Sequence, residues 1–158
     1  MKKRLVTTLF ITHLFTGFVG FAVGIYVLPI LIAPESPSMA AVNDVSMHAD
    51  FSAVFTRELA GSDAFHWGEG KVFIGSESVS FMGKLAPGPD YKLYLSPKFV
   101  ETEQTFNLAK ASMVRVGEVN TFENFIVEMP EGINPENYTT VIVWCERFGE
   151  FITAARYQ

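Results

Sequence analysis

A single cysteine, Cys145, closes the most apolar strand-like run of the chain, Tyr138 to Cys145, and no second cysteine exists to pair with it. A thiol works as nucleophile, metal ligand or electron carrier only where its thiolate is accessible and favoured. Three fates are open to Cys145: inert core, a disulfide to another chain, or a redox or cofactor-binding group. Alternation puts Thr139, Val141, Val143 and Cys145 on one face of the run, and Thr140, Ile142 and Trp144 on the other. A cysteine that follows two valines behaves as a small hydrophobe. Its place at the end of the run argues the other way. There the strand can emerge, Arg147 can favour a thiolate, and Glu146 opposes it.

Cys145, its neighbour Trp144 and His66 are the candidate redox or cofactor-binding residues. His66 lies in the aromatic-flanked sequence Phe65-His66-Trp67-Gly68, where a partly exposed strand-edge histidine is the plainer reading. Haem is a chemically allowed cofactor, held by the Cys145 thiolate or by His66 or His48 together with Met82 or Met113. Covalent attachment of the c type is excluded, because no Cys-x-x-Cys-His occurs. One histidine and one cysteine make no metal site of recognisable spacing. Gly88-Pro89-Asp90-Tyr91 reads as a turn leading into a strand. In it Pro89 presets φ, Gly88 tolerates unusual geometry, and the Asp90 carboxylate accepts backbone N–H bonds. A cation or substrate ligand is the sharper alternative for Asp90. The sequence has no nucleophile elbow, no His-Glu-x-x-His, no phosphate loop and no Cys-x-x-Cys, which argues against an enzyme. Glu101 and Glu103 read as a solvated surface pair, and the Asn137-Tyr138-Thr139 sequon matters only in a eukaryotic secretory pathway.

The elements that must position these residues are strands. Short β-branched or aromatic runs occur at Lys71–Ile74, Ser78–Met82, Tyr91–Leu95, Met113–Val119, Phe122–Val127, Tyr138–Cys145 and Phe151–Ala155, broken by glycine and proline. This spacing predicts an all-β fold, an antiparallel β-sandwich of Greek-key type. Tyr138–Cys145 is apolar on both faces and belongs in the middle of a sheet. Tyr91 and Tyr94 point to opposite faces, so they form no joint stacking platform. Glu101 to Lys110 is the one helix candidate outside the N-terminus.

Lys2, Lys3 and Arg4 precede a stretch without Asp, Glu, Lys or Arg that reaches Ala33. The 24 residues from Leu5 to Leu28 are enough to cross a bilayer, for which about 20 suffice, and Pro29 predicts a helix end at Leu28. A secretory signal has a shorter apolar core, so an uncleaved anchor is the better reading. Ser38 and Ala40 would nevertheless suit a cleavage site before Ala41. With the basic cluster retained inside, residues 1–33 form a single-pass anchor in the cytoplasmic membrane, in contact with lipid. Residues 34–49 are a proline- and serine-containing linker, and 50–158 a single extracytoplasmic domain, periplasmic in a bacterial layout. Exported thiols usually pair, which makes a lone Cys145 notable. Gly17, Gly20 and Gly24 share one helical face through which a homodimer could form, although glycine is common in such helices. His13 within the span has no acidic partner there, which argues against a proton relay. All 17 acidic residues follow the anchor, and an acidic domain argues against nucleic acid and anionic headgroups as partners. No internal repeat or low-complexity block is present.

Two motifs carry a resemblance. Gly88-Pro89-Asp90-Tyr91-Lys92-Leu93-Tyr94-Leu95-Ser96 resembles the Gly-Pro-Asp-then-strand motif of the electron-transfer DM-thirteen domains. Val141 to Phe148, with Phe151 and Ala154-Ala155, resembles that family's closing strand and its cysteine, and Gly117 lies in the stretch between. The resemblance covers Phe51 to Tyr157. It implies a β-sandwich that serves electron transfer with a redox partner protein, working through the cysteine as a bare thiol or as a ligand to a prosthetic group such as haem. Members often stand beside haem-binding DOMON domains, whereas here an anchor takes the place of a companion redox domain.

Overall fold

The computed structural model describes residues 2–158. Helix α1 (Lys2–Ile32) is followed by α2 (Met39–Ser46) and eight strands. The strands are β1 (Phe51–Phe55), β2 (Gly68–Ile74), β3 (Ser78–Leu85), β4 (Tyr91–Ser96), β5 (Val114–Val119), β6 (Phe125–Glu128), β7 (Thr140–Cys145) and β8 (Glu150–Arg156). Helix α3 (Glu103–Ala109) and a short 3-10 turn (Lys110–Ser112) stand between β4 and β5. Two four-stranded antiparallel sheets result, ordered β1-β2-β3-β6 and β5-β4-β7-β8. The all-β antiparallel expectation holds, and each sequence-predicted strand is present with its bounds shifted by up to three residues.

The main core lies between the sheets. Phe55, Phe81 and Phe125 of the first sheet pack in series, with ring centroids 5.4 and 5.0 Å apart. They share one apolar cluster with Leu93, Leu95, Val141 and Val143 of the second. Strands β4 and β7 are buried along their whole length because both faces are covered. Their other face packs Tyr94, Ile142 and Trp144 against Phe106 of α3 and Phe151 of β8. This is why Tyr138–Cys145 reads as apolar on both sides. The strand is interior, hydrogen-bonded to β4 and β8.

Three local expectations differ. Strand β1 was not anticipated, since only Phe55 of its five residues is fully buried and the apolar signal is diluted. Helix α1 continues past Pro29 to Ile32. Pro29 is the only buried residue of α1 and lines a cleft that Pro89 and Phe148 also line, and its burial offsets the lost backbone bond. Within the segment 34–49, Ser38 accepts from Ala41 N–H at 3.2 Å and caps α2. Val42 of α2 is completely buried, and Asn124 Nδ2 donates to the Pro37 carbonyl at 3.2 Å.

Candidate functional site

Tyr91, the first residue of β4, stands directly opposite Cys145, the last residue of β7. Cross-strand neighbours in such a pair sit side by side on one face, so the register joins the two motifs at one end of the sandwich. Tyr91 turns its phenol back and donates to the Ala86 carbonyl at 2.8 Å, cinching the loop that carries the chain from one sheet to the other. A Cβ on Gly88 would stand 2.6 Å from Tyr91 Cζ. Gly88 is therefore needed for the close approach of the ring, and not for a left-handed backbone, which only Gly70, Gly132 and Gly149 adopt. The expected role of the Asp90 carboxylate is also corrected. It pairs with Lys92 Nζ at 2.6 Å, and it is the Asp90 backbone carbonyl that accepts from Glu146 N–H, at 3.0 Å. Lys92 also pairs with Glu118, so a nearly buried ammonium bridges two carboxylates.

A cavity of about 570 Å³ opens between the C-terminal part of α1 and this end of the sandwich. Val23, Tyr26 and Val27 line it from the helix, and Cys145, Tyr91, Gly88, Pro89 and His66 from the sandwich. Five of the seven sequence-nominated residues thus share one wall. Asp90 lies outside it, between Pro89 and Glu118. Trp144 is separated from it by the sheet, because successive strand residues face opposite ways.

Cys145 is only 2% exposed and belongs to the inter-sheet core. Burial pushes its thiol pKa up and the Asp90 charge adds to that, opposed by backbone N–H groups of Phe148, Arg147 and Asp90. Arg147 acts on the sulfur through its amide. Burial likewise raises the Tyr91 phenol, and the adjacent Cys145 adds to that. His66 Nδ1 lies 3.0 Å from Asp63 Oδ2, and Asp63 Oδ1 accepts from the Phe65 and His66 N–H groups at 2.7 and 2.8 Å. The hydrogen bond from His66 and the N–H bond from Phe65 hold the Asp63 carboxyl below its usual range. This Asx-type turn fixes the imidazole and leaves Nε2 for another partner.

On the opposite face, Trp144 stacks on Phe106 with centroids 3.7 Å apart and planes 7° from parallel. Tyr94 meets Phe106 edge-on at 5.3 Å. Glu146 receives Tyr94 Oη and is paired with Lys110 Nζ at 2.9 Å, which closes the face over the aromatic rings. The Trp144 indole N–H is buried there without a hydrogen-bond partner. Glu101 and Glu103 are more than solvated surface. Their carboxylates accept from the Ala60 and Phe151 N–H groups, each at 3.3 Å, and tie α3 to the sandwich.

A haem does not fit the residues at the cavity. His48 lines a different cleft, beside Gly75 and Met129, Met113 packs on the Trp144 side, and Met82 does not line the cavity, which leaves Cys145 and His66 as donors. Burial holds the sulfur protonated, and the wall has no Lys or Arg to receive propionates, only the acidic Glu150. Among the described residues no cluster of three metal-ligating side chains occurs.

Residues 58–157 match the family model described as Electron transfer DM13, and the chain belongs to that family. No curated protein and no solved structure matches the chain. Helix α1 is long and apolar enough to cross a membrane. A Cβ added at Gly17, Gly20 or Gly24 would meet open space, and nothing in the fold engages that face.

Proposed function

We propose that this chain is a membrane-anchored electron-transfer module held outside the cytoplasm, with Cys145 as its working group. The observation that carries the reading is the meeting of Gly88, Pro89, Tyr91, His66 and Cys145 around one apolar cavity. Membership of the electron-transfer family supports the role. Lys2, Lys3 and Arg4 at the start of α1 support retention of the N-terminus inside, with the sandwich beyond the bilayer. At neutral pH the thiol is protonated, so it can pass an electron to a partner protein only along with its proton. The amides of Phe148 and Arg147 favour charge that develops on sulfur, and the nearby Asp90 carboxylate opposes it.

One observation favours a second reading, a non-catalytic binding or structural sandwich: Cys145 is 2% exposed within the inter-sheet core. Native labelling of the full-length protein separates the two. A small uncharged maleimide is expected to enter the apolar cavity and modify Cys145 slowly near pH 7, faster above the ordinary thiol range. A charged thiosulfonate is expected to be excluded. Labelling by either reagent only after denaturation would remove the redox reading.

A further inference from the structure

We propose that the cavity between α1 and the sandwich binds the head of a lipid-soluble quinone that enters from the bilayer. The inference rests on the electron-transfer reading above and supplies the chemical class of what the module meets. Three observations carry it, concerning depth, charge and polar contacts.

As a helix, the uncharged stretch Leu5–Ile32 is about 42 Å long at ~1.5 Å per residue. A bilayer's hydrocarbon occupies only ~30 Å. With Lys2, Lys3 and Arg4 held at the far headgroups, roughly the last 12 Å of the helix, from about Ile25 onward, stands at the near headgroup level. Ile25, Tyr26 and Val27 line the cavity at that level, and Ala22 and Val23 line it from just below, at the edge of the hydrocarbon. Tyr26 meets Phe65 edge-on at 6.1 Å, and an aromatic belt is expected at that depth. Phe65 and Phe148, both in the cavity wall, are 61% and 52% exposed, an unfavourable surface in water and a favourable one against acyl chains. The cavity therefore meets lipid before it meets solvent.

The wall is almost wholly apolar and contains no Lys or Arg. That disfavours a phosphate headgroup, a carboxylate or a propionate-bearing ring, and suits a neutral molecule. Its size falls within the ~300–1,000 Å³ usual for small-ligand sites. Besides the Glu150 carboxylate, two polar groups line it without a competing side-chain partner: His66 at Nε2, whose ring is fixed through Nδ1 by Asp63, and the Tyr26 phenol. The reduced, quinol form of a quinone head satisfies both, with one hydroxyl donating to His66 Nε2, the acceptor nitrogen while Nδ1–H faces Asp63, and the other accepting from the Tyr26 phenol. A plain acyl chain satisfies neither and would leave them desolvated and unpaired.

The test uses the full-length protein in lipid discs and a decyl-tailed benzoquinone kept in its reduced quinol form, with binding followed by protein fluorescence. Saturable binding is expected, unaffected by excess decanol. Ala22→Phe fills the cavity from the helix side, where Ala22 is exposed and outside the sandwich core. It should abolish binding while leaving the melting temperature unchanged. His66→Ala should weaken binding about tenfold, the loss of one good hydrogen bond. Competition by decanol equal to that by quinone would overturn the proposal in favour of a general acyl groove, and so would undiminished binding to Ala22→Phe. The two readings fail separately. Quinone binding with a Cys145 thiol inert at every applied potential would remove the cysteine role alone. A redox-active Cys145 with no saturable quinone binding would remove this inference alone.

Discussion

Trp144 and Cys145 are adjacent in one strand yet occupy opposite kinds of environment. The Trp144 face is filled: a parallel ring stack on Phe106, an edge-on Tyr94, and a Lys110–Glu146 pair across the top. The Cys145 face ends in a hollow beside α1. Packing density approaches that of organic crystals in the first case and is locally given up in the second. The closed side therefore holds the domain together, and the open side is where chemistry has room. A shared strand makes the two inseparable in sequence, although they differ in purpose.

The sharpest way to break the contrast is truncation on the closed face. Trp144→Ala is expected to cost about 3–5 kcal/mol, read as a lower denaturation midpoint. Trp144→Phe should cost far less, since it keeps the stack and removes an N–H that has no partner. Cys145 should respond more mildly. Cys145→Ser places a hydroxyl in the core and should cost ~1–3 kcal/mol, whereas Cys145→Ala should cost less. Equal losses would mean that the sulfur faces a wetter site than its 2% exposure indicates. Gly88→Ala should cost about 1–3 kcal/mol by overpacking against the Tyr91 ring. Gly88→Ala combined with Tyr91→Phe should recover little of it, because the aromatic ring remains.

The smallest effects concern pH, and they run in opposite directions on the two faces. The Cys145 thiol has a raised pKa, so its share of stability is intact below the ordinary thiol pKa and falls as pH climbs past it. Burial works against the Glu146 charge, but hydrogen bonds from Tyr94 and Lys110 outweigh it and hold the carboxyl below its usual range. Its contribution is present above the ordinary carboxylate pKa and is lost as pH falls through the lowered one. Melting curves of the wild type against Glu146→Gln at low pH, and against Cys145→Ala at high pH, should converge on the respective sides.

Much of this was legible in the residues. Double-sided apolarity placed β7 inside a sheet, and period-two alternation separated Cys145 from Trp144 correctly, because both signals depend only on nearest neighbours. The cavity was not legible. Its wall joins residues 22–27 to loops near 65, 88 and 148, and no local pattern encodes a meeting over such separations. His66 looked like an ordinary edge residue for the same reason, since Asp63 fixes its ring only through a loop conformation. The continuation of α1 past Pro29 was masked by a sound local rule, overruled by the burial of Pro29.

The stretch from Pro34 to Ala49 has the composition of a leash but the contacts of a strap. Val42 is plugged into the sandwich, and Asn124 holds Pro37 while also accepting from Gly83 N–H at 3.2 Å. A leash lets its cargo roam, and the distance it reaches grows with the length of the chain. A strap fixes attitude, so inserting glycine and serine residues here would tilt the sandwich off α1 and extend its range only once those fastenings tear.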